Sequence, residues 1–197
     1  MQRNAPNQFT GILLAAGKGL RFDPAGRLNK LMQPFGNGDT VAGASAGSLL
    51  ATLPLVLAVV RPGARDVAAQ LHAVGCVVTE CPDADQGMAA SLVHSLTQTQ
   101  ESAGWIIALA DMPYVQAATI SALVGALRSG AGIAAPTFEG RRGNPVAFSR
   151  LHLSELMRLG GDQGARSLLA RYPVTDIAVD DAGTCRDIDT ASDLEAR

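Results

Sequence analysis

The chain has 197 residues, enough for one domain with a substantial core and too few for two comfortable ones. Hydrophobic residues make up 47%, charged residues 17% and aromatics only 4%, so the core of a globular protein must here be built from Ala, Val, Leu and Ile, which suits buried parallel strands flanked by helices. A formal net charge of -2, without a run of lysines or arginines, excludes a non-specific nucleic-acid grip and leaves any anionic ligand to a few placed cations and backbone amides.

Residues 1–11 are polar and lack the apolar centre of a signal peptide. The longest apolar stretch, residues 53–60, is interrupted by Pro54 and falls far below the ~20 residues that cross a bilayer. A soluble, cytoplasmic chain with no membrane partner is expected. Cys76, Cys81 and Cys185 show no CxxC or other metal-like spacing and read as reduced thiols.

Short apolar runs alternate with helix-length amphipathic segments, without internal repeats or linkers. Strands are expected at residues 9–15, 55–60, 76–79, 105–110 and 133–135, and helices at 40–52, 64–73, 88–97 and 116–129. This alternation predicts right-handed crossovers and a three-layer, Rossmann-like α/β fold, its mainly parallel sheet covered by helices on both faces. Ligands then bind beyond the carboxyl ends of the strands.

The first strand runs directly into AAGKGLRF, and Lys30 follows in NKLM. Gly17 and Gly19 let the chain turn sharply and bring its amides to an anion, while Arg21 and Lys30 supply cations for phosphate oxygens. The pattern is neither a Walker A motif nor a dinucleotide GxGxxG fingerprint. A strand–loop turn with glycines for geometry and exposed basic residues fits the same letters.

WIIALADMP places Asp111 at the carboxyl end of a strand, as a Mg²⁺ ligand or as a turn or helix-capping carboxylate. CPDADQGMAASL opens a helix with Gln86, Gly87 and Ser91, which either present polar edges to a base or simply cap the helix. RRGNPVAF carries Arg141, Arg142 and Asn144; a solvated hairpin tip is the plain reading of its two arginines. GGDQGAR carries Asp162 and Arg166 ahead of another helix. Near the end, RDIDTASDL offers Asp187 and Asp189 on one face of an extended segment, with Asp193 suited to a helix N-terminus. His72, His94 and His152 have no partners at ligand spacing and read as surface or packed helix residues.

Taken in order, LLAAGKGLRF with NKLM, QGMAASL, ADMP, RRGNPVAF, GGDQGAR and DIDTASDL resemble the MobA-like nucleotidyltransferase family over residues 9–194. The nearest branch is that of the molybdenum cofactor cytidylyltransferases, and Ala16 agrees with it, since the guanylyl branch more often has a second glycine there. Departures are Asp23 for a usual glycine, a long insert at 23–29, Ala89 for glycine, and Ala191 and Ser192 for proline and an acid.

The resemblance implies a nucleotide-diphospho-sugar transferase-like fold and a single nucleotidyltransferase domain. Its N-terminal half binds the nucleotide through Ala15, Ala16, Gly17, Lys18, Gly19, Arg21, Lys30, Gln86, Gly87 and Ser91. Its C-terminal half binds the acceptor through Arg141, Arg142, Asn144, Asp162 and Arg166. Arg21, Lys30 and Asp111 are the implied catalytic residues, with Mg²⁺ held by Asp111 and Asp189. The implied substrates are CTP and the molybdopterin cofactor, and the expected protein is a monomer, its role compatible with transient docking to a molybdenum hydroxylase. A guanylyltransferase, a transferase for another phosphorylated acceptor, and a non-catalytic cofactor carrier remain as alternatives.

Overall fold

The computed structural model describes residues 8–36, 38–161 and 164–195. The N-terminal part runs β1 (Phe9–Ala15), β2 (Pro34–Phe35), β3 (Asp39–Thr40), α1 (Val41–Leu50), β4 (Val56–Val60), α2 (Arg65–Ala73), β5 (Val77–Glu80), α3 (Met88–Gln98), β6 (Gly104–Leu109) and α4 (Ala117–Arg128). After it come β7 (Ile133–Phe138), β8 (Arg141–Arg142), β9 (Val146–Ser149), α5 (Leu153–Leu156), α6 (Arg166–Arg171), β10 (Thr175–Ala178) and α7 (Ser192–Glu195). The main sheet has the order β10-β7-β9-β6-β1-β4-β5, with β8 paired to β7, while β2 and β3 form a separate hairpin.

Period-two alternation sorts the strand side chains between two cores. Leu13, Ala15, Ile106 and Ala108 face one way, against Val41, Ala46 and Leu49 of α1, Leu71 of α2 and Ile120 and Leu123 of α4. Ile12, Trp105, Ile107, Ile133 and Phe148 face the other way, against Leu92 and Leu96 of α3, Leu156 of α5 and Leu168 of α6. Both faces are therefore buried, which is why β4 reads VLAVV with no polar position. The two largest fully buried side chains, Trp105 and Phe148, lie in the second core, and the Trp105 indole donates to Thr99 Oγ1 at 3.0 Å.

The expected strands and helices all form, within a few residues of their expected ends. β1, β4, β5 and β6 are mutually parallel, as the crossovers demand. β9 is the exception: it runs antiparallel between β6 and β7. The chain reverses at Glu139 and Gly140, both with positive φ, in a two-residue turn between β7 and β8. The chain then runs on in the same direction through Gly143 and Asn144 into β9, so β8 and β9 both pair antiparallel with β7. The hairpin-tip reading of Arg141 and Arg142 thus describes β8.

The last segment returns across the carboxyl end of β6. Ile188 is fully buried and donates its amide to the Asp111 carbonyl at 2.8 Å. The buried Asp181 carboxylate ties the return to the start of α4, accepting from the Gln116 amide, the Thr119 hydroxyl at 2.6 Å and the Gly183 amide. The Arg186 guanidinium stacks 3.8 Å from the Tyr114 ring centroid. Asp193 folds back on the turn before α7, accepting from the Thr190 hydroxyl and from the amides of Thr190 and Asp189.

Two predictions come from this return. A Cβ on Gly183 would stand 2.3 Å from the Tyr114 carbonyl oxygen, which is backbone and cannot swing aside. Gly183→Ala is expected to cost about 1–3 kcal/mol in urea unfolding, and an unchanged midpoint would contradict this packing. The Thr190 hydroxyl, then the Thr190 and Asp189 amides, hold the Asp193 carboxyl below its ordinary 3.8. Its contribution is present above that value and lost as pH falls through the lowered one. Amide resonances of Asp189 and Thr190 should hold from neutral pH to about 4 and shift below it, whereas Asp193→Ala should shift them at neutral pH.

Candidate active site

The carboxyl ends of β1 and β6 and the N-terminus of α3 surround a cavity of about 580 Å³. The loop after β1 lines it through Ala15, Ala16, Gly17, Lys18, Gly19 and Arg21, with Lys30 and Leu31 behind. Ala84, Asp85, Gly87, Met88 and Ser91 form the wall at α3, and Asp111 and Asp189 the floor. Of the residues expected to hold a nucleotide, only Gln86 is outside this lining. It is exposed and donates to Asp83 Oδ1 at 2.7 Å.

Among the described residues, the backbone amides of Gly17 to Arg21 donate no hydrogen bond. They are a row of donors without acceptors at a cavity wall, as an anion site requires. Gly19 has φ +65°, and a Cβ there would lie 3.6 Å from Lys30 Cγ, so loop and lysine stem are in contact. Gly87, with φ 114° and ψ 177°, adopts a conformation essentially reserved for glycine and opens α3 without a side-chain cap. That helix end therefore presents its positive pole to the cavity.

Asp23, which departs from the family pattern, has a structural role. Its carboxylate accepts from the amides of Ala25, Arg27 and Leu28 at 2.7–2.9 Å and closes the long 23–29 insert on itself. Asn29 then caps the short helix Lys30–Met32, accepting from the Leu31 amide, and buried Leu31 anchors it. Across the mouth, Lys18 and Arg61 both reach Asp85, at 3.1 and 2.8 Å. Lys18 first, then Arg61, holds the Asp85 carboxyl below its ordinary range.

On the floor, Lys30 Nζ lies 2.6 Å from Asp111 Oδ2, 3.0 Å from the Ile188 carbonyl and 3.6 Å from Asp189 Oδ1. Arg21 pairs with Asp189 Oδ2 at 2.5 Å. The sequence separates Arg21 and Lys30 from the two aspartates by most of the chain, and the fold brings all four together. Asp111 Oδ1 and Asp189 Oδ1 are buried without a hydrogen-bond donor. Two carboxylates with unclaimed oxygens fit a hard divalent cation that takes its other ligands from water and phosphate. Among the described residues, no group of three or more His, Cys, Asp or Glu is arranged to hold a metal. Asp187 is the more exposed neighbour; what burial it has, with Asp189 and Asp111 adding to it, pushes its carboxyl up.

The described residues expected at the acceptor do not join this cavity. Arg142 makes two bonds to Asp176 of β10, at 2.5 and 3.0 Å. Arg141 and Arg166 are exposed, and Asn144 donates its amide to the Thr184 carbonyl. Asp162 lies outside the described residues. Sequence reasoning missed Asp85, whose position one residue before Gln86 was the available signal, and Arg61, which nothing local marks. The cysteines are free thiols, and burial pushes Cys76 up to about 11. None of the histidines lines the cavity: His94 bonds Thr79 at 2.9 Å, and the His152 ring packs edge-on to Phe148 and Tyr172. No described helix is long and apolar enough to cross a membrane.

Comparison with known proteins gives this geometry a family. PucB, a purine catabolism protein of Bacillus subtilis (strain 168), is 29% identical over 198 residues, covering 94% of this chain and 93% of PucB. The crystal structure of Rv0371c from Mycobacterium tuberculosis H37Rv is 30% identical with a TM-score of 0.83, covering 100% of both chains. Rv0371c also has a crystal structure in complex with manganese, with a TM-score of 0.78 at 30% identity over 96% of this chain and 100% of that one. A nucleotidyl transferase from Methanothermobacter thermautotroptrophicus shares the fold at 21% identity, with a TM-score of 0.80 and 94% of each chain covered. The profile of the MobA-like NTP transferase domain matches residues 11–176, and the chain belongs to that family.

Proposed function

We propose that this nucleotidyltransferase moves CMP from CTP to the terminal phosphate of molybdopterin, releasing pyrophosphate and forming molybdopterin cytosine dinucleotide. The observation that carries the reading is the meeting of Arg21, Lys30, Asp111 and Asp189 beneath a loop whose amides lack acceptors. The family supports the transfer, and Ala16 supports the cytidylyl branch. PucB is named for purine catabolism. That setting agrees with a product destined for a xanthine-dehydrogenase-type hydroxylase, docked to transiently in the cytoplasm.

An acceptor phosphate oxygen forms the new bond to the α-phosphorus as the bond to the β-phosphate oxygen breaks, and pyrophosphate leaves with that electron pair. A phosphate monoester has its second pKa near ~6 and is largely dianionic at neutral pH, so no protein base is needed. That agrees with a cavity from which the histidines are absent. The amides of residues 17–21 and the α3 N-terminus cradle the triphosphate, while Arg21 and Lys30 offset charge gathering on the leaving group. Asp111 and Asp189 would hold Mg²⁺, which polarises the phosphoryl oxygens. Manganese bound to Rv0371c supports a divalent cation in this fold. Arg141, Arg142, Asn144, Asp162 and Arg166 are proposed for the acceptor, on the C-terminal side.

With molybdopterin as acceptor, pyrophosphate release is expected to need Mg²⁺, to stop with EDTA and to favour CTP over GTP. Asp111→Ala should lower kcat by about 100-fold or more. Preference for GTP moves the chain to the guanylyl reaction, and equal rates with a sugar phosphate overturn the molybdopterin assignment. Tight cofactor binding without any release favours the carrier. Arg166→Ala is expected to raise the acceptor KM by roughly tenfold and leave that of CTP unchanged. An unchanged acceptor KM removes Arg166 from the site.

A further inference from the structure

Lys30 stands in two roles that exclude each other in space. Under the proposed reaction its ammonium serves the phosphates, yet it lies between the two carboxylates proposed to hold the metal. There it donates hydrogen bonds to Asp111 Oδ2 and the Ile188 carbonyl and stands 3.6 Å from Asp189 Oδ1 as an ion pair. Its side chain is only 11% exposed, and Asp111 and Asp189 are 21% and 23% exposed, so water screens the group poorly. Arg21 adds a second positive charge on Asp189.

We infer that Lys30 is a stand-in cation that keeps a divalent metal off the Asp111–Asp189 pair until a nucleotide triphosphate draws the ammonium away. The inference rests on the proposed reading of the site and adds an order of binding. A divalent ion arriving alone would meet the Lys30 and Arg21 charges at close range, with the aspartates already paired. Asp187 lowers that barrier without removing it, since it is the most exposed of the three carboxylates and makes no contact with either cation among the described residues. A triphosphate reverses the balance by bringing negative charge to the amides of residues 17–21 and to the α3 N-terminus. Lys30 can answer by turning only its head group, because its backbone is held by Asn29 and buried Leu31. Metal and nucleotide then enter together.

The test is Mn²⁺ binding to the nucleotide-free protein, read from loss of the free-ion electron paramagnetic resonance signal. Wild type should bind weakly, and Lys30→Gln at least tenfold more tightly. Adding Asp111→Asn to that variant should remove the gain. Lys30→Met, which keeps the apolar stem and drops the charge, serves if the glutamine variant does not fold. Equal affinity in wild type and the folded Lys30 variants overturns the inference. CTP and GTP separate this failure from that of the functional reading: if neither raises the Mn²⁺ affinity of wild type, the metal–nucleotide site itself is wrong. If they raise it while the Lys30 variants show no gain without nucleotide, the site stands and only the stand-in role falls.

Discussion

The hydrogen bond from the Ile188 amide to the Asp111 carbonyl joins the two ends of the candidate site. Asp111 ends a central strand, whereas Asp189 belongs to a segment outside any strand, and this bond sets one against the other. Ile188 makes it possible by burying its side chain completely. In an extended segment that turns Asp187 and Asp189 away from the core, toward Lys30 and Arg21. The supports around it serve the same end. Asp181 fastens the returning chain to α4, Gly183 lets it pass against the Tyr114 carbonyl, and Asp193 caps the turn after Asp189.

Charge on the floor of the cavity is nearly balanced within the protein. Arg21 and Lys30 meet Asp111 and Asp189, and the unclaimed capacity is of two kinds: oxygens of the two aspartates and amides of the loop. One suits a cation, the other an anion. A metal–triphosphate pair matches both at once, which neither ion does alone. The proposed exchange of partners by Lys30 rests on that complementarity.

The local part of this arrangement was legible in the letters. The apolar runs of β1, β4 and β6 announced a sheet buried on both faces, and the glycines beside Arg21 announced a sharp loop, which the structure places at the cavity wall. Asp111 was legible because a carboxylate ending so apolar a strand has no other companion there. β9 was not, because VAFS is too short for its direction to be read. Only the turn at Glu139 and Gly140 makes it antiparallel. Arg142 was legible as a cation but not as the partner of Asp176, which arrives from β10.

The sequence by itself determined the layers, the glycine-rich loop after β1 and the residue types near it, because these depend on periodicity and on chemistry within a few neighbours. Only the tertiary structure decided that Lys30 sits on Asp111 and Asp189, that Asp85 draws Lys18 and Arg61 across the mouth, and that the acceptor arginines stand apart from the cavity. Such contacts join segments distant in the chain. Their geometry is set by how the strands are ordered and how the last segment crosses them, and no local pattern of residues encodes that distance.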